Sequence, residues 1–327
     1  MADLNILFTS AGRRVSLLRS FRRALDELAL PGSIIAADAG LSAAATFVAD
    51  EKAQVPRIDH DGYIDALLEL CDAKSVRALV SLVDTDLVLL SENAQRFEQL
   101  GTTPLVCSAA TNRICFDKVS THAFFTDNDI RTPQVLSDAE TEGLSSDDFP
   151  VMVKPWDGSG SAGVHVAANA QELAFYRDTT PNAMVQRLVV GDEYTCDAYV
   201  DFSGTVRCVV PRRRLETRAG EVSKGLTVRD PVIIDAVTDC VDKLPHAVGC
   251  MTVQCFKTRD GSVEFIEVNP RFGGGHPLTI HAGANFPKWI LQELTTGQCD
   301  ASFDCWTDDL VMLRYDAEVI TQGSLIR

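Results

Sequence analysis

The sequence predicts an α/β N-terminal domain built on a doubly wound parallel sheet, followed by an α+β fold of two subdomains. Three observations carry this. Short apolar runs alternate with helical patterns through roughly the first hundred residues, the alternation of a parallel sheet. Composition shifts near residue 107, ahead of the acidic surface stretch ETEGLSSDD (140–148). From 150 onward strand patterns dominate. The expected boundaries are 1–107, 108–183 and 184–327.

In chain order, LNILFT (4–9) is a strand, Ser10-Ala11-Gly12 a turn, and Val15, Leu17, Leu18, Phe21 and Leu25 fall at helical spacing. SIIAAD (33–38) and ALVSLVD (78–84) are further strands, with the helical YIDALLELC (63–71) between them. These strands end in Ser10, Asp38, Asp84 and Asp86, and ligands of open parallel sheets gather at carboxyl ends of strands. Helix capping is the commoner role for such aspartates. The turn SAGRRVS lacks the glycines of a dinucleotide fingerprint. Beyond 150, VMVK, VHVAA, AMVQRLV, EYTCDAYVD, TVRCVV, MTVQCFK and SVEFIEVN are strands, with helical patterns at 170–177, 231–243 and 286–296.

Composition excludes several function classes. A chain of 327 residues, 46% hydrophobic and 23% charged, is globular rather than disordered. Thirty basic against forty-six acidic side chains give a net charge of −16, which repels phosphate backbones and anionic membranes. No apolar run approaches the roughly 20 residues of a membrane span. The N-terminus carries an acid where a secretory signal wants bases, so the expected compartment is the cytoplasm. Ten cysteines without a C-x-x-C pair spell no zinc site; reduced, mostly buried thiols are expected.

Three constellations carry chemistry. In the first, Lys154 ends an apolar strand and is followed by the small-residue loop Gly158-Ser159-Gly160-Ser161-Ala162-Gly163. Such a loop closes over phosphates with backbone N–H groups and a lysine charge, and a glycine-rich hairpin connection is an equally good reading. In the second, Asp260-Gly261 signals a two-residue hairpin turn, which places Gln254 opposite Glu267. Asn269 shares their face by the period-two rule. Three oxygen-bearing side chains thus converge, the hard donors that magnesium takes when it arrives with a nucleotide; a solvated edge is the bland alternative. Arg271 and the run Gly273-Gly274-Gly275 follow directly, the arginine suited to a phosphoryl group or a carboxylate. His276 and His281 beside that run are more simply structural. In the third, a strand reaches Gly191-Asp192-Glu193, where Glu193 would accept ribose hydroxyls or stand as a surface acid.

Taken in order, K-P…GSGSAG, QRLVVGDEY and Q…EVNPRFGGG resemble the ATP-grasp superfamily, most closely the carbamoyl phosphate synthase large-chain-like ligases. The resemblance implies a pre-ATP-grasp domain, then a small lid and a larger subdomain that clasp ATP. It implies Lys118 and Lys154 on the phosphates under a loop containing Gly158, Ser159, Gly160 and Ser161. It implies Gln186, Arg187, Leu188 and Val189 as the adenine hinge and Glu193 on the ribose. Gln254, Glu267 and Asn269 would hold Mg²⁺, or Mn²⁺, and Arg271 the acyl phosphate side. In the basic stretch 211–225, Arg212, Arg214 and Lys224 are the implied contacts to phosphates and acceptor, with a charge-protected strand edge close to even. Two departures stand out: Gln186 stands where related hinges often carry glutamate, its side-chain carbonyl still able to accept from the adenine amino group, and Gln254 stands where many members carry an acid, so metal affinity without nucleotide should be low. The resemblance implies ATP-dependent ligation of a carboxylic acid and an amine, and with it a homodimer, the state of many relatives. A nucleotide-binding regulator without catalysis is the alternative.

Overall fold

The computed structural model describes residues 3–158, 163–218 and 220–326. The first sheet orders β3-β2-β1-β4-β5, from β1 (Asn5–Thr9), β2 (Ile34–Asp38), β3 (Glu51–Gln54), β4 (Val76–Ser81) and β5 (Thr103–Pro104). All its pairings are parallel. Alternate residues of β1 enter different cores: Ile6 and Phe8 pack with Phe21 and Leu25 of α1 (Val15–Glu27), while Leu7 packs with Tyr63, Leu67 and Cys71 of α2 (Tyr63–Ala73). This two-sided burial explains the unbroken apolar runs, because strands covered on both faces have no polar side to show.

The second sheet orders β6-β9-β7-β8, from β6 (Val135–Leu136), β7 (Val151–Pro155), β8 (His165–Ala167) and β9 (Ala183–Arg187). Its core is small, built on Val151, Val153, Leu173 and Val185. The third sheet orders β14-β13-β10-β11-β12-β15, from β10 (Gly191–Val200), β11 (Val206–Arg218), β12 (Glu221–Thr227), β13 (Gly249–Thr258), β14 (Val263–Asn269) and β15 (Val311–Leu313). One face covers Ile233, Val237 and Cys240 of the helix Pro231–Asp242. The other presents Tyr199, Cys208 and Val210 to a core shared with α1, β1 and the helix Phe286–Thr296. The N-terminal sheet is thereby joined to the third sheet through continuous apolar contact.

The basic stretch is no sheet edge. β11 runs through Arg218 and is flanked by β10 and β12, and β12 in turn by β15. All ten cysteines are free thiols, seven of them buried. Among the described residues no helix is long and apolar enough to cross a membrane.

Candidate active site

Gln254 stands opposite Glu267 and Thr252 opposite Asn269, although the turn differs from the sequence expectation. Lys257 pairs with Val263, and three residues, Arg259 to Gly261, form the loop, with Gly261 at φ +85°. This is the three-residue hairpin in which a left-handed residue closes the turn. A bulge between Gln254 and Cys255 then leaves Ile266 unpaired and shifts the register by one. The longer turn and the bulge cancel, so the expected pair forms for a different reason.

Glu267 Oε1 accepts from Gln254 Nε2 at 2.6 Å and from Asn269 Nδ2 at 2.9 Å. The amide oxygens face cations instead: Gln254 Oε1 accepts from Arg214 at 3.2 Å, and Asn269 Oδ1 from Arg271 at 3.1 Å. One carboxylate and two amide carbonyls are hard oxygen donors that a half-turn of each amide would aim at a common point. Among the described residues no group of three His, Cys, Asp or Glu side chains could hold a metal. The donor set therefore fits a magnesium ion that brings further oxygens with it, such as those of a polyphosphate.

These residues line a cleft of about 450 Å³ together with Arg14, Asp84, Lys118, Gly158, Arg212 and Arg214. Lys118 opens the helix Lys118–Asp127, and its ammonium donates to the carbonyl of Gly158. Lys154, at the end of β7, is 4% exposed. Burial pushes its ammonium down to about 8; Glu267 opposes the shift and Lys118 adds to it. A desolvated ammonium beside a second lysine favours an anion between them.

The cleft floor is a buried ion cluster. Arg212 donates from Nε and Nη2 to the two oxygens of Asp197, both at 2.9 Å. His276 Nδ1 lies 3.1 Å from the same carboxylate, and Thr279 also donates to it. Burial acts to raise the Asp197 carboxyl, but Arg212 and His276 outweigh it and hold the group well below the usual carboxylate range. His276 is thus structural. The glycine run follows from this floor. A Cβ on Gly275 would stand 2.2 Å from Arg212 Nη1 and 2.5 Å from Val222 Cγ1, and one on Gly274 3.0 Å from Arg14 Nη1. Space beside Arg212 and Val222, not backbone freedom, requires Gly275, while Gly274 leaves a tight fit under Arg14.

One cleft residue escaped sequence reasoning, and another, Asp84, was expected at a ligand-gathering strand end with capping as its commoner role. Arg14 comes from the SAGRRVS turn, where the paired arginines after a strand end were the available signal. Burial and the neighbouring Arg271 lower its guanidinium, and Glu221 opposes. Asp84 caps nothing: it is the first residue of α3 (Asp84–Glu92), after Val83 as N-cap, and its Oδ2 accepts from Arg271 at 2.6 Å. Asp86 is fully buried and accepts from Thr9 and Ser81. Three buried atoms on cleft residues, Arg214 Nε, Arg271 Nε and Asp84 Oδ1, have no hydrogen-bond partner.

Other expected residues stand apart. Lys224 pairs with Glu216 at 2.7 Å on the exposed side of the β11–β12 hairpin and does not line the cleft. Nor do Gln186, Arg187, Leu188 and Val189. Gln186 is buried on β9 and donates to the Pro133 carbonyl at 3.0 Å, and Arg187 pairs with Asp148 at 2.9 Å. Glu193 pairs with Arg214 at 2.8 Å; burial raises its carboxyl against that arginine. Ser159, Gly160 and Ser161 lie outside the described residues.

Comparison with known proteins agrees with this architecture. Residues 6–105 match a family model described as PylC-like, N-terminal domain. Residues 179–312 match one described as ATP-grasp in the biosynthetic pathway with Ter operon. The carbamoyl-phosphate synthase of Methanobrevibacter smithii is 25% identical over 140 residues, 41% of this chain and 38% of that one. The chain spans between 36% and 56% of the length of the first curated relatives it matches. The biotin carboxylase domain of Hydrogenobacter thermophilus 2-oxoglutarate carboxylase, solved with MgADP, ADP and bicarbonate, superposes with a TM-score of 0.75 at 16% identity, over 95% of this chain and 74% of that one. The L-amino acid ligase of Bacillus licheniformis superposes at 0.68 and 17% identity, over 90% and 75%. At these identities the superpositions show a shared fold.

Proposed function

We propose that this chain, whose residues 179–312 match an ATP-grasp family model, is an ATP-dependent ligase that joins a carboxylic acid to an amine through an acyl phosphate. The observation that carries this reading is the meeting, in one cleft, of a magnesium-type oxygen set with five cationic side chains from three parts of the chain: Arg14, Lys118, Arg212, Arg214 and Arg271. Magnesium bound with the nucleotide would neutralise phosphate charge between Gln254, Glu267 and Asn269; manganese would suit the same oxygens.

In the proposed reaction, a carboxylate oxygen attacks the γ-phosphorus of ATP, the bond to the β-phosphate oxygen breaks, and ADP leaves. The amine nitrogen then attacks the acyl carbon, the C–O bond to phosphate breaks, and the nitrogen loses a proton. Lys118 and Lys154 hold the phosphoryl group, Arg14 and Arg271 the substrate carboxylate, and no side chain forms a covalent intermediate. Catalysis rests on alignment and charge. Residues 108–183 form the lid in this reading, with Gln186 to Val189 and Glu193 meeting the nucleoside when it closes.

The test is ADP release from the full chain with Mg·ATP, screened over carboxylic acids and amines. Release that requires both co-substrates supports ligation. Saturable ATP binding with no substrate-dependent release would replace ligation by a regulatory role.

A further inference from the structure

Gln254, Glu267 and Asn269 lie at the centre of a continuous run of hydrogen bonds whose two halves mirror each other. Both amides donate to the same oxygen, Glu267 Oε1, at 2.6 and 2.9 Å. On one side the Gln254 oxygen accepts from Arg214 Nη1 at 3.2 Å, and that Nη1 also lies 2.8 Å from Glu193 Oε1. On the other side the Asn269 oxygen accepts from Arg271 Nη2 at 3.1 Å, and that Nη2 also donates to Asp84 Oδ2 at 2.6 Å. Each half therefore runs from an outer carboxylate through a guanidinium and an amide to the shared carboxylate. The amide orientations are forced by this order. Turned over, either amide would set its oxygen against Glu267 and its N–H groups against a guanidinium. The arginines are held in place, their side chains 9% exposed for Arg214 and 16% for Arg271, and Arg214 Nη2 donates to the Gly220 carbonyl at 2.9 Å as well. The outer carboxylates come from different domains, Glu193 from β10 and Asp84 from the start of α3.

We propose that Arg214 and Arg271 guard this corner: in the ligand-free chain each occupies the amide oxygen that a divalent cation needs, and the corner opens to metal only when a polyphosphate draws the arginines off. The inference rests on the ligase reading and adds the regulation of its metal site. A guanidinium and a divalent ion repel each other at contact distance, so they compete for one amide oxygen rather than share it. Phosphate oxygens offer a guanidinium a charged, bidentate partner, which an amide oxygen does not. Once released, Gln254 Oε1 and Asn269 Oδ1 are free to turn toward an ion beside Glu267. Metal and nucleotide binding are thereby coupled, each tightening the other by the same factor. Glu193 and Asp84 are positioning residues: they act through the arginines, keeping both guanidiniums beside the corner whether or not the amides hold them.

The experiment is titration of the full, nucleotide-free chain with Mn²⁺, read from the electron paramagnetic resonance of the free ion, with Glu267→Gln giving the background from other surface acids. Removing Arg214 alone would leave Glu193 unpaired and add an attractive charge. The variant is therefore Arg214→Met combined with Glu193→Gln, which removes one charge of each sign and frees Gln254 Oε1. Its Mn²⁺ affinity should rise about tenfold over the wild type, the worth of one hydrogen bond to a charged group, while ATP in the presence of EDTA should bind it more weakly. Arg271→Met with Asp84→Asn, the mirror pair, serves if the first variant melts early. Mn²⁺ affinity unchanged or lowered in the folded double variant would overturn the proposal, because the arginine would then be no competitor. Titration of the wild type with Mg·ATP separates the two readings. No binding there sinks the ligase reading, whereas binding there, with Mn²⁺ affinity unchanged in the double variant, sinks the guard alone.

Discussion

Replacing Arg212 by methionine tests the floor on which the site is built. The guanidinium is 1% exposed and forks onto Asp197, itself fully buried, with two bonds of 2.9 Å. Methionine fills similar space but leaves the carboxylate with only His276, Thr279 and a long contact from Thr252 at 3.5 Å. Breaking one side of a buried pair costs about 3–5 kcal/mol, and the remaining partners place the expected loss near the lower end, about 3 kcal/mol. With a urea m-value of about 3 kcal/mol/M, the unfolding midpoint of Arg212→Met should fall by about 1 M. The half-exposed neighbour Arg213, paired with Asp192 at 2.9 Å, supplies the control: Arg213→Met should cost under about 1 kcal/mol. Asp197→Asn combined with Arg212→Met should be less destabilised than the two single losses added together. Equal midpoints for the Arg212 and Arg213 variants would refute the assignment of the buried pair as the structural floor.

Other outcomes follow from the same geometry. Glu267→Ala should cut turnover by about 10²-fold or more and remove the magnesium dependence of ATP binding, with the melting temperature little changed; normal activity in this variant contradicts the metal corner. Gly275→Ala should destabilise by about 1–3 kcal/mol through overpacking against Arg212 and Val222, whereas Gly297→Ala, with open space but φ +74°, should show backbone strain alone and no change in nucleotide affinity. Asp197 is held below its usual range, so its contribution is fully present above the unfolded value of about 3.9 and is lost as pH falls below it. The melting temperature of the wild type should therefore fall more steeply between about pH 4 and pH 2 than that of Asp197→Asn.

The parallel sheet was legible because its strands are buried on both faces, which writes uninterrupted apolar runs such as Ile6 to Phe8 into the sequence. The meeting of Gln254, Glu267 and Asn269 was legible through the hairpin, yet only because a three-residue turn and a bulge at Ile266 compensate; bulges leave no periodic signature. Arg14 was hidden, and Asp84 was legible as a strand end but not its partner: Arg271 lies 187 positions away, and no local pattern encodes such a contact. Lys224 was drawn to the site by the charge of its neighbours, but strand alternation and Glu216 turn it to the surface.

The most direct measurement of the central claim is calorimetric titration of the full chain with ATP, with and without Mg²⁺. Saturable binding that requires magnesium, and that falls in Glu267→Ala, is the expected result. No binding up to millimolar ATP, or binding indifferent to magnesium and to Glu267, would contradict the account.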